Sequence, residues 1–110
     1  MAEDYIIPVA TSAAGYRLLR PLPVEKYIDP YVYLWTKSAC LDEWGIGDNL
    51  EEAVADLISS LVEYQGLLKR VAAEGKLDAD GDCALNELSQ LIAPDSSTIV
   101  SSMHNTMGNS

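Results

Sequence analysis

Between Gly45 and Gly75 the sequence prescribes one long helix with well-marked ends, and the rest of the chain has to accommodate it. The stretch "GIGDNLEEAVADL", residues 45–57, passes from a glycine-punctuated segment straight into a helix start. Asn49 suits the N-cap, because its side-chain oxygen can accept from a free N–H of the first turn. Glu52, three residues on, can reach back toward it in a variant of the capping box. Glu51 and Glu52 also face the positive end of the helix dipole. Leu50, Ala53, Val54, Leu57, Ile58, Leu61 and Val62 recur at three- and four-residue spacing, and Leu68, Val71 and Ala72 prolong the stripe. Gly66 is a weak point within it, and Gly75 is a C-terminal stop signal. The pattern predicts a helix over 50–73, roughly 35 Å long at ~1.5 Å per residue.

Such a stripe needs an apolar surface to lie on. "YVYLWT", residues 31–36, is the clearest strand: Tyr31, Tyr33 and Trp35 share one face, Val32 and Leu34 the other. The aromatic face is expected to sit beneath the helix rather than to stack nucleic-acid bases, since cations are few nearby. "WGIGDN" (44–49) reads as a very short strand ending in a turn. In "YRLLRPLPVEKYID" (16–29), Pro21 and Pro23 exclude a helix and suggest an edge strand or bulge, followed by a turn at 29–30. "YIIPVA" is a short edge strand and "TSAAG" a loop. A second helix is predicted over 84–92, with Leu85, Leu88, Leu91 and Ile92 on one face and Pro94 ending it. The predicted fold is α+β: a small antiparallel sheet of about three strands, the long helix on one face, and a short C-terminal helix. Residues 1–93 form one domain, and 94–110, with His104, form a flexible polar tail.

Charge narrows the function. Seventeen acidic residues against seven basic ones leave a net charge of −10, which repels phosphate backbones and suits a basic partner or simple solubility. Cys40 and Cys83 form no CxxC pair, and His104 is the one histidine, so a zinc site is not expected. Two reduced, partly buried thiols in a cytoplasmic protein are expected, with a single disulfide as the alternative. The acidic start "MAEDYIIPVA" is unlike a signal peptide, and no stretch reaches the length of a membrane span.

The segment "DADGDCALNELS" places Asp78, Asp80 and Asp82 at the first, third and fifth positions of an EF-hand calcium loop. Cys83 stands where the turn needs glycine, and Ser89 where a bidentate glutamate closes the shell. The expectation is no calcium site and no cofactor, with Asp82 capping the second helix instead. The carboxylates have no catalytic partners, and nucleophile-elbow, phosphate-loop and Cys–His patterns are absent, so no enzymatic activity is expected.

The run "YVYLWTKSACLDEWGIGDNLEEAVADLISSLVEY" resembles the partial ribonuclease-H-like domain of HicB-family antitoxins. Tyr31-Val32 fits that family's strand, and Leu41-Asp42-Glu43 lies in its connector. Gly47, Asn49, Glu51, Glu52, Ala53 and Leu57 fit the junction and helix start. The connector proline is replaced by Ser38-Ala39-Cys40. No basic DNA-binding module follows, for no Lys or Arg occurs after Lys76. The resemblance implies a non-catalytic toxin-binding module without direct nucleic-acid binding, whose partner is a small basic, RNA-cleaving toxin. Alternatives are an orphan regulatory domain of the same fold and a degenerate EF-hand-like calcium protein. Homo-oligomerisation is expected as well, through Leu67, Leu68 and Val71, which should overhang a small sheet, or through a free strand edge.

Overall fold

A computed structural model describes residues 2–38 and 40–95. The strands are β1 (Ala2–Ile7), β2 (Ser12–Ala13), β3 (Tyr16–Leu18), β4 (Leu22–Ile28), β5 (Val32–Thr36), β6 (Trp44–Gly47) and β7 (Ile92–Pro94). The helices are α1 (Leu50–Ala73) and α2 (Ala79–Leu91), between β6 and β7. The class is α+β, with a larger β portion than the sequence suggests. An antiparallel sheet in the order β1-β4-β5-β6 is joined by a small sheet ordered β2-β3-β7.

The helix α1 begins and ends where its signals place it. Asn49 Oδ1 accepts from the Glu52 N–H at 2.9 Å. Glu52 answers through its side chain, accepting from Asn49 Nδ2 at 3.1 Å rather than from the backbone. At the other end Gly75 takes φ +73°, with Gly75 N–H donating to Ala72 O and Lys76 N–H to Val71 O, a Schellman closure.

What fixes α1 on the sheet is the pair Gly45 and Gly47. Both point toward the helix from β6, opposite Leu34 and Val32. A Cβ on Gly45 would lie 2.6 Å from Ala53 O, and one on Gly47 2.5 Å from Ala53 N. Helix and strand backbones therefore touch with no side-chain layer between them. Val24, Leu34, Leu57, Ile58 and Leu61 complete a core that excludes water.

Pro23 does not mark an edge: β4 is an interior strand. The Pro23 carbonyl accepts from Lys37 N–H, on the β5 side and beyond the last β5 pair, Val24 with Thr36. The N–H that proline lacks would face the same side, toward Lys37 O at the end of that pairing, so only one terminal bond is missing and the pairing with β1 is untouched. "TSAAG" is a hairpin, not a loop. Ala14 and Gly15 take φ +56° and +78°, the I′ pattern that joins β2 to β3.

The second helix starts five residues early. Asp78, not Asp82, is its N-cap, accepting from Gly81 N–H at 2.7 Å. Ile92 leaves the helix to open β7, which pairs with β3. Pro94 pairs with Tyr16 and Asp95 N–H donates to Gly15 O, so the folded body extends to Asp95. The rest of the tail, His104 included, lies outside the described residues.

The expectation of reduced thiols is corrected. Cys40 and Cys83 form a disulfide with Cα atoms 5.8 Å apart, tying the β5–β6 connector to α2. Ser38 Oγ reinforces the tie by donating to Glu87 Oε2. The sequence held no spacing signal for a pair 43 positions apart, brought together only when α2 folds back on α1.

Two measurements check this packing. Gly45→Ala should destabilise by about 1–3 kcal/mol because backbone atoms must yield. Gly66→Ala, in open space on α1, should stabilise by about 0.5–1 kcal/mol; chemical denaturation showing the same sign for both would contradict the close approach. Cys83→Ser should lower stability by about 2–4 kcal/mol, read as a melting shift that reductant reproduces in the unmodified protein.

Candidate functional site

Because α1 covers one face of the main sheet, the other is open, and cross-strand register decides what stands on it. Tyr27 lies opposite Tyr33, Glu25 opposite Trp35, Trp35 opposite Trp44, and Tyr33 opposite Ile46. Residues paired in register share a face. Trp35 and Trp44 remain 45% and 46% exposed, and Tyr27 and Tyr31 are exposed beside them. The Tyr33 and Trp44 rings meet at 5.9 Å between centroids.

The aromatic stripe is therefore not under the helix, as expected from its sequence, but on the opposite side. Val32, Leu34 and Thr36, on the α1 side, are the buried residues of β5. The signal lay in β6: Gly45 and Gly47 mark the side of close approach, and Trp44 and Ile46 must then point away.

Two carboxylates stand among these rings. Trp35 Nε1 donates to Asp42 Oδ1 at 3.0 Å, and the Tyr27 hydroxyl donates to Glu25 Oε2 at 2.7 Å. The hydrogen bond to Glu25, with a smaller effect of desolvation, raises the Tyr27 pKa and keeps its hydroxyl protonated. The second oxygen of each carboxylate, Glu25 Oε1 and Asp42 Oδ2, takes no hydrogen bond from the described residues. Lys37 borders the group but is engaged by Asp4 Oδ1 at 2.7 Å, which raises the lysine pKa. Lys26 points to the helix side, paired with Glu3 and lying over the Tyr5 ring. An open cleft of about 570 Å³ runs between Glu25, Tyr27, Trp35, Lys37, Leu41 and Asp42.

Two other clefts offer less. One, of about 510 Å³, has its polar groups already joined, since Glu87 accepts from both Arg20 and Ser38. The other, of about 460 Å³ between the end of β1 and the start of α1, is mainly apolar.

Of the residues singled out from sequence, Gly47, Asn49 and Glu52 do come together, as a structural joint: the glycine lets α1 approach, and the cap starts it. Leu67, Leu68 and Val71 do not form one exposed patch. Leu68 is buried in the core and Val71 half-buried, with α2 packed along α1, so Leu67 alone stays exposed. Asp80 and Asp82 occupy the first turn of α2, where a calcium loop would need open backbone. Among the described residues no group of three or more His, Cys, Asp or Glu side chains could hold a metal ion. Among the same residues, no helix is long and apolar enough to cross a membrane.

Comparison of the chain with protein-family models, with curated proteins and with solved structures finds no match.

Glu43, at the base of the connector, supplies a pH test. Burial raises its pKa above the ordinary 4.5, with Asp42 and Glu63 adding to the shift. The folded state then holds a proton more tightly than the unfolded one, so stability falls as pH rises through the shifted value. Glu43→Gln should be the more stable protein at neutral pH, by less than about 1 kcal/mol given its partial exposure. The advantage should shrink toward acid pH, and denaturation curves across that range check the sign.

Proposed function

We propose that this chain is a non-catalytic protein-interaction module of the kind the HicB-like resemblance implies. In this reading it binds a small basic partner of the RNA-cleaving toxin type on the open face of its four-stranded sheet. The observation that carries the reading is the face itself: exposed Tyr27, Trp35 and Trp44 flanked by Glu25 and Asp42. Interfaces draw their energy from such aromatic anchors, and the acidic surround steers a basic protein. Single-stranded nucleic acid would also stack on aromatic rings, but it needs cations along its backbone, and here carboxylates stand in that place. A cytoplasmic location belongs to the same proposal. Self-association, if it accompanies this role, is assigned to the free β1 edge rather than to α1, since Leu68 is already buried.

The test is whether a small basic protein is encoded beside this chain and, where one is, whether the two bind. Trp35→Ala with Trp44→Ala should weaken the complex by about 30-fold or more, whereas Leu67→Ala should leave it unchanged. Raising salt should weaken it further. A complex indifferent to both tryptophans, or no complex with that protein, overturns the reading.

A further inference from the structure

We propose that the cleft between β4, β5 and the 37–43 connector binds an arginine side chain of the partner, its guanidinium stacked on Trp35 and bridged by Glu25 and Asp42. The inference rests on the interaction-module reading and narrows it to one chemical group.

The argument begins with Trp35. Its single N–H is already spent on Asp42 at 3.0 Å, so what the exposed indole has left to offer is its π face. A π face with carboxylates beside it attracts a cation. Glu25 stands directly across the strand pair from Trp35. The two carboxylates thus line the same cleft as the ring, one across the strand pair from it and one at its N–H, each with one oxygen still able to accept. Tyr27 walls the cleft, and its hydroxyl is turned to Glu25 rather than offered as a competing donor.

Three cations could be considered. A quaternary ammonium has no N–H and would leave both free oxygens without donors. A lysine ammonium is a compact point charge that gives up strong hydration to enter. Guanidinium is planar, stacks on an indole and carries five donors in a rigid fork, so one group can satisfy both carboxylates while lying on the ring. Lys37 is near enough to feel the charge of Glu25, but its ammonium is bonded to Asp4 and donates to neither Glu25 nor Asp42, so both free oxygens are left to an incoming donor.

The cleft is also built to keep its shape. Leu41 is buried, Thr36 Oγ1 donates to Leu41 O at 2.7 Å, and Glu43 N–H donates to Thr36 Oγ1 at 3.1 Å. The Cys40–Cys83 bridge holds the same connector from the other side. Asp42 is therefore carried on an anchored segment, which lowers the ordering cost of binding.

The experiment uses the full chain in a Trp44→Phe background, where Trp35 is the one remaining tryptophan of two. The probes are alternating octapeptides of glycine with arginine, with lysine, or with uncharged citrulline, titrated at about 0.15 M salt. The arginine peptide should change Trp35 emission saturably and bind at least about threefold tighter than the lysine peptide and about tenfold tighter than the citrulline one. Glu25→Gln with Asp42→Asn should weaken the arginine peptide about tenfold. Glu51→Gln with Glu74→Gln removes the same charge from exposed helix positions and should change affinity less than about twofold. Circular dichroism of each variant confirms its fold. Equal affinity for arginine and lysine peptides, equal losses from the two double variants, or a Trp35 signal explained by self-association in sedimentation overturns the site. The two proposals fail separately. Peptide binding that ignores Glu25 and Asp42 removes the arginine site and leaves the module, while absence of the basic-protein complex with peptide binding intact does the reverse.

Discussion

The contact on which the structure depends is the one between the backbones of α1 and β6. Two glycines in alternate positions remove the side-chain layer that normally separates a helix from a sheet. That choice fixes which face of the sheet is buried. Register then carries it across the strands: with Gly45 and Gly47 under the helix, Leu34 and Val32 go under it too, and Trp44, Trp35 and Tyr27 go out. The packing of the core and the chemistry of the surface follow from the same two positions.

Local signals were legible where the physics is local. Asn49, the acidic first turn and Gly75 gave both ends of α1, because caps and periodicity need no distant partner. The start of α2 was harder, since Asp78 and Asp82 are equally good caps and the alternating aspartates suggested a metal loop. Asp80 and Asp82 instead sit where a helix dipole favours negative charge. The β2–β3 hairpin was hidden because Ala14 is not a residue that advertises positive φ. Strand β7 and the disulfide depend on long-range closure, which no window of sequence contains. The aromatic stripe was found but put on the wrong side. Hydrophobicity alone favours burying tyrosine and tryptophan, whereas the smaller Val32 and Leu34 fit the narrow gap that the glycines create.

The open face and the acidic charge belong together physically. A sheet surface of aromatic side chains would be an aggregation risk in a neutral protein. A net charge of −10, with Glu25 and Asp42 set among the rings, offsets that risk by repulsion between like-charged faces. The connector that carries Asp42 is held by a covalent bridge and by the bond from Ser38 to Glu87, so the acidic rim does not depend on the sheet alone.

The bond between Ile46 and Asp56 sets a further limit. Ile46 N–H points away from β5, and Asp56 Oδ2 of α1 accepts it at 2.9 Å. One outward donor of β6 is thereby taken up from within the chain, while β1, at the far end of the sheet, pairs only with β4. Strand addition is therefore biased toward the β1 end. Two copies joined edge to edge there would form one continuous two-fold sheet, and growth past that pair would first have to displace Asp56 from Ile46.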